Sequence, residues 1–123
     1  MRQSFEVELA PPSINSFYHR SGRGRVYISP KGKEFKVYVE KHLARLMRAG
    51  LLHNWKDKKI QTDYRFNFKG KRKRDTSNYI KVIEDCLKGI LFTDDEQVWR
   101  LTAEKQLNCI DNSIFITIMD YEE

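Results

Sequence analysis

Cysteine is scarce in this 123-residue chain, which holds only Cys86 and Cys109. The two form no CxxC spacing and no histidine pair stands near them, so a zinc site is not expected. Cys86 falls in an apolar stripe and reads as a small packing hydrophobe. Long apolar runs are missing as well, and nothing in the chain has the length of a membrane span. Met1-Arg2-Gln3-Ser4 passes straight into an alternating pattern without an apolar signal-peptide stretch, so a reducing cytoplasm is the expected setting. Repeats and long linkers are also absent, which leaves one domain over 1–123 with one modest core. Acidic charge is in deficit: 23 Lys and Arg stand against 17 Asp and Glu, a formal net charge of +6. The sequence pI is about 9.4. Such a balance points to an anionic partner, with nucleic acid the leading candidate.

What is present divides into strands and helices by its period. Phe5, Val7 and Leu9 alternate with Glu6 and Glu8, as in a half-buried strand, until Pro11-Pro12 stops it. "SINSFYHRSGRGR" is rich in small residues and arginine and is expected to be a mobile basic loop. Val26-Tyr27-Ile28 forms a short strand. Ser29-Pro30 has the form of a helix cap followed by proline in the first turn. Phe35, Tyr38, Val39, His42, Leu43, Leu46 and Met47 then mark one face of an amphipathic helix that Gly50 closes. His42 belongs to that stripe and is expected to be a packed or boundary histidine rather than a ligand, since nothing nearby completes a metal set. Ile60, Thr62, Tyr64, Phe66 and Phe68 make the clearest strand, with polar residues between them. Tyr79, Val82, Ile83, Cys86, Leu87 and Ile90 form a second helical stripe. Trp99, Leu101, Ala103 and Leu107 mark another strand, "NCIDNS" a turn, and Ile114, Ile116 and Ile118 the last strand. The order is β-β-α-β-α-β-β. It predicts an α/β (α+β) fold of two layers, with two helices against one face of a mixed sheet of about four to five strands.

The chemistry concentrates around the second helix. In "KRKRDTSNYIKVIEDCL", the cations Lys71, Arg72, Lys73 and Arg74 run directly into Asp75 at a helix start. An aspartate there can cap the helix, accepting backbone N–H bonds and favouring the dipole. It can equally offer a carboxylate to a metal ion. "FTDDEQV" follows the same helix and sets Asp94 beside Asp95. A small set of hard oxygen ligands suits Mg²⁺, which retains waters and binds phosphate too. Lys81 lies on the polar face of the helix, about one turn in from Ser77. Lys105 continues the two-residue, buried-face phase of Trp99, Leu101 and Ala103, either as a snorkelling strand-end lysine or with its amine paired or in a cleft. A basic grip for phosphate, carboxylates for a cation and a lysine to neutralise developing charge are the parts that phosphodiester cleavage uses.

These residues resemble the RusA family of Holliday-junction resolvases. The family carries a basic run, then Asp-x-Asp-Asn, a lysine, an acidic helix end and Asp-Asp, as in "KRKRDTSNYIKVIEDCL…FTDDEQV". "PPSINSFYH", with Pro11, Pro12, Ser13, Asn15 and Tyr18, is similar to the family's Pro-Pro-Ser-x-Asn-x-x-Tyr opening, and "YISPKGKEFK" to the segment after it. The resemblance implies a small α/β homodimer that binds four-way junction DNA and makes paired, Mg²⁺-dependent (or Mn²⁺-dependent) nicks in a bacterial or phage-infected cell. It implies Asp75 and Asp95 as metal-binding catalytic carboxylates, with Asp94 beside them, and Lys81 as the catalytic lysine. Lys71–Arg74 with Arg20, Arg23 and Arg25 are the expected DNA grip. Asn15, Asn78 and Lys105 match family positions and join the expected DNA contacts. The chain departs from the pattern at Ser77, where the family has its second motif aspartate. A serine hydroxyl is a weak metal ligand or a holder of metal-bound water, or it serves only as a cap.

Two other functions remain open at this level. One is a junction- or duplex-binding module that has lost activity through the change at Ser77. The other is a basic interaction domain, for RNA among other anions. RNA recognition modules usually expose paired aromatics on a sheet, whereas Tyr64, Phe66 and Phe68 alternate as a core face does.

Overall fold

The computed structural model describes all of residues 1–123. Its main sheet has four strands: β1 (Arg2–Val7), β4 (Ile60–Asn67), β5 (Val98–Gln106) and β6 (Ser113–Asp120), in the spatial order β1-β6-β4-β5. The β1–β6 and β6–β4 pairs are antiparallel and β4–β5 is parallel, so the sheet is mixed as expected. Parallel neighbours need a crossover, and helix α3 (Ser77–Leu87) supplies it between β4 and β5. The second long helix, α2 (Pro30–Arg48), precedes β4.

The alternation of the sequence sets the faces. Ile60, Thr62, Tyr64 and Phe66 of β4 are buried, and Ile114, Ile116 and Ile118 of β6 lie directly across from Phe66, Tyr64 and Thr62. Phe35, Val39 and Leu43 of α2, with Tyr79, Val82, Ile83, Cys86 and Leu87 of α3, belong to one cluster of 22 buried residues. Each large apolar side chain so buried contributes about 1.5–3 kcal/mol relative to exposure. The other sheet face is largely polar and pairs many of its groups: Arg65 pairs with Glu104 at 2.9 Å, and the hydroxyls of Ser4 and Thr117 lie 3.0 Å apart. Two layers result. Burial, foremost, pushes the Cys86 thiol up to about 12, so it packs as an inert hydrophobe. No helix is long and apolar enough to cross a membrane.

The structure corrects the sequence-based expectations in several places. The segment expected to be a mobile basic loop forms a short helix, α1 (Ile14–Phe17), and a strand, β2 (Tyr18–Arg20), which pairs in a hairpin with the short strand expected at β3 (Val26–Ile28). Phe17 is fully buried and anchors it, and the Phe17 carbonyl accepts a 2.8 Å bond from the Ser29 N–H. Ser29 caps α2, accepting from the Gly32 N–H at 2.9 Å and donating to the Ser16 carbonyl at 2.6 Å. Gly32 permits this docking: a Cβ there would stand 2.7 Å from the Phe17 carbonyl oxygen. β1 ends at Val7, so Leu9 is outside it and 38% exposed. Helix α3 ends at Leu87, and Ile90 packs on the core from the turn that follows. Trp99, expected on the core side, is 53% exposed. Ile60 pairs with Val98 and Gln61 with Arg100, so Trp99 is the extra residue of a bulge, which turns it outward.

Candidate nucleic-acid interface and active site

In a β-α-β crossover the loop that enters the helix and the loop that leaves it lie at opposite ends of the sheet. The basic run therefore lies beyond the carboxyl ends of β4 and β5, where open parallel strands commonly receive ligands. Its root is fixed. The Lys69 N–H donates to the Asn112 side chain at 2.8 Å, and the Gly70 carbonyl accepts from the Asn108 N–H at 2.8 Å. Gly70 has a φ of +80°, which lets the chain turn there.

The four cations are not equivalent. Lys71, Arg72 and Lys73 are exposed. Arg74 is half-buried: its guanidinium lies 4.3 Å from the centre of the Phe68 ring and donates to the Tyr79 hydroxyl at 3.4 Å. Tyr79 in turn packs against Phe66 and Phe68. Lys105 stands on the helix-covered side of β5, across from Phe66, and its amine donates to the Arg74 carbonyl. Lys105 does not line the cleft that holds Asp75; its amine instead tethers the backbone one residue before that aspartate.

Asp75 is exposed. Its main-chain carbonyl starts α3 by accepting from the Asn78 N–H at 3.0 Å, while no side chain caps that helix. Capping therefore does not occupy the Asp75 carboxylate. Ser77 is the first helical residue and is exposed, and no cap uses its hydroxyl. Asp75 and Asn78 line a cleft of about 810 Å³ together with Arg72–Arg74, the Leu9–Ser13 segment and the first turns of α2. Arg20 ends β2, and Arg23 and Arg25 lie in the turn beyond it, all exposed; Asn15 is exposed on α1.

Asp94 and Asp95 lie at the far end of α3. Asp94 caps a single 3₁₀ turn (Asp95–Gln97) in a reciprocal box with Gln97. The Glu96 N–H, foremost, holds the Asp94 carboxyl below its ordinary range. Asp95 is exposed and 3.8 Å from Lys88. The structure adds two half-buried acids that the sequence-based site did not include, Glu84 and Asp85 on α3. Burial and the nearby Asp95 charge push both carboxyls above their ordinary range, with burial the larger cause. Glu84 also helps burial raise the Tyr64 phenol, whose hydroxyl has no hydrogen-bond partner. Their position three and four residues after Lys81 was the available clue. Lys81 pairs with Asp85 at 3.4 Å and lies 5.8 Å from the Tyr18 ring centre.

The predicted ligands thus fall into two groups. Asp75 and Ser77 stand at the start of α3, whereas Asp94 and Asp95 stand past its end. Eleven helical residues, about 16 Å of helix at 1.5 Å each, separate them. No three Asp, Glu, His or Cys side chains in one chain come together closely enough to hold a metal ion. The donors of a single chain do not by themselves fit a resident cation.

A mixed sheet with a basic cleft at the carboxyl ends of its parallel strands, and an uncommitted carboxylate inside that cleft, is an arrangement suited to an anionic ligand. The family model for endodeoxyribonuclease RusA matches residues 8–119, and the chain belongs to that family. The family is one of Holliday-junction-resolving endonucleases, generally dependent on a divalent metal. A search of curated proteins finds no match.

Proposed function

We propose that this protein is an endonuclease that resolves four-way DNA junctions by paired nicks, with Mg²⁺ or Mn²⁺ as cofactor. The carrying observation is Asp75: a carboxylate released from capping, exposed in a cleft and flanked by the basic run. Lys71, Arg72 and Lys73 neutralise backbone phosphates, and Arg20, Arg23 and Arg25 extend the grip. Lys81 supplies positive charge where negative charge develops on the attacked phosphate. It pairs with the half-buried Asp85 from a side chain that is itself 60% exposed, which leaves the amine free to exchange partners.

A homodimer is part of this reading. Paired nicks need two sites, and a two-fold assembly presents them at matched positions. One chain also leaves the metal donors in two groups, which favours a site completed only in the assembly or on DNA. Asp75, Asp94 and Asp95 are the proposed metal donors, with Ser77 beside Asp75. The test incubates an end-labelled four-way junction and a linear duplex of the same sequence with the protein, in Mg²⁺ and in EDTA. Symmetrical nicking of the junction alone, abolished by EDTA, is expected. Cleavage of both substrates at equal rates would refute junction selectivity. The missing aspartate at Ser77 favours a second reading, a binding module without activity, and junction binding with no nick in either metal would establish that instead.

A further inference from the structure

We infer that the cleft beside Asp75 is a pocket for one unstacked nucleotide at the branch point of the junction. This rests on the junction-cleaving reading above and assigns that site a new element. The cleft measures about 810 Å³, within the range of about 300–1,000 Å³ typical of pockets for small-molecule-sized ligands. A volume of that size matches one nucleotide rather than a stretch of duplex. Its lining holds groups for each part of a nucleotide, with Glu34 and Asp75 as the acids among its cations. Lys31, Arg72 and Lys73 are exposed cations for the phosphates. The Tyr38 ring is 38% exposed, is stacked on no other ring and offers a platform for a base. Tyr79, by contrast, is already committed to Phe66, Phe68 and Arg74. Asn78 lies in the same wall with its side-chain amide unused by the fold, and a carboxamide presents both a donor and an acceptor to a base edge.

The energetics favour the branch point. Taking a base out of a stacked duplex is costly, and the cost is least where pairing or stacking is already interrupted. A four-way junction interrupts stacking where its strands exchange. A pocket filled by an unstacked nucleotide therefore converts junction geometry into affinity, in addition to what contacts to the phosphate backbone supply. Asp75 in the same wall then stands beside the phosphates that flank that nucleotide.

The experiment uses the full chain and four-way junctions carrying 5-iododeoxyuridine at single positions, irradiated in EDTA so that nothing is cut. A crosslink mapped to Tyr38 is expected when the label sits at the branch point and not when it sits mid-arm. Tyr38→Ala should weaken junction binding about tenfold or more, in line with the loss of one base-stacking contact, while linear-duplex binding stays within about twofold. Tyr38→Phe keeps the ring and should retain both. A parent protein that binds and nicks junctions without crosslinking at Tyr38 overturns the pocket and leaves the nuclease reading standing. Equal weakening on junction and duplex in Tyr38→Ala overturns it too. A parent that shows no preference for junctions refutes both.

Discussion

Replacing Lys105 by methionine separates two roles that one residue type can play. The sequence pattern places Lys105 among DNA contacts, whereas the structure directs its amine to the Arg74 carbonyl. Methionine keeps an unbranched stem against the sheet and removes only the charged donor. A hydrogen bond from a charged group is worth about 1.5–3 kcal/mol, and the exposure of Lys105 puts this one near or below the lower end, at about 1 kcal/mol. For a chain of this size that corresponds to a melting-temperature loss of about 4 °C. The decisive measurement is the dependence of junction affinity on salt. A lysine bound to phosphate adds about 0.9 to the magnitude of the log–log slope, and its loss removes that amount. A tether adds nothing to the slope but positions the backbone that carries Asp75. Lys105→Met is therefore expected to leave the salt slope unchanged and to lower the single-turnover nicking rate about tenfold or more, since small misplacement of a reacting group is costly. A slope reduced by about 0.9 with nicking intact at saturating protein would refute the tether.

Further outcomes follow from the same geometry. Asp75→Asn should keep the fold and junction affinity and lose nicking; normal cleavage by that variant, followed on a labelled junction, would remove Asp75 from the chemistry. Replacing Lys71, Arg72 and Lys73 by alanine should flatten the salt slope by up to about 2.7 if all three meet phosphate, whereas Arg74→Ala should mainly lower the melting temperature. Gly32→Ala should destabilise by about 1–3 kcal/mol in urea unfolding, because its Cβ would meet the Phe17 carbonyl oxygen at 2.7 Å. The raised Glu84 carboxyl holds its proton to higher pH folded than unfolded. Its contribution to stability is full below the unfolded pKa and is lost as pH rises through the raised value. Glu84→Gln should thus melt higher than the parent at neutral pH and lose that advantage near pH 4, in paired thermal scans.

Periodicity made most of the fold legible in advance. The alternation in β4 and β6, the two helical stripes and the Ser29-Pro30 cap are local patterns, and local patterns survive into the structure because the core faces demand them. The segment around Phe17 was not legible, since one buried aromatic in a polar stretch has no period, and only Gly32 and Ser29 across the fold show why it is ordered. Trp99 misled for a related reason: a bulge is a matter of register against β4, and a single strand does not carry its partner's register. The site divides the same way. A run of cations meeting Asp75 at a helix start is contiguous, so the sequence alone determined that the two lie together. The three-dimensional arrangement decided what each group is free to do. It left the Asp75 carboxylate uncapped, took Arg74 into a stack on Phe68 and tied Lys105 to the backbone before Asp75. It also put Asp95 with Glu84 and Asp85 at the far end of α3, because a parallel crossover must send its two loops to opposite ends of the sheet.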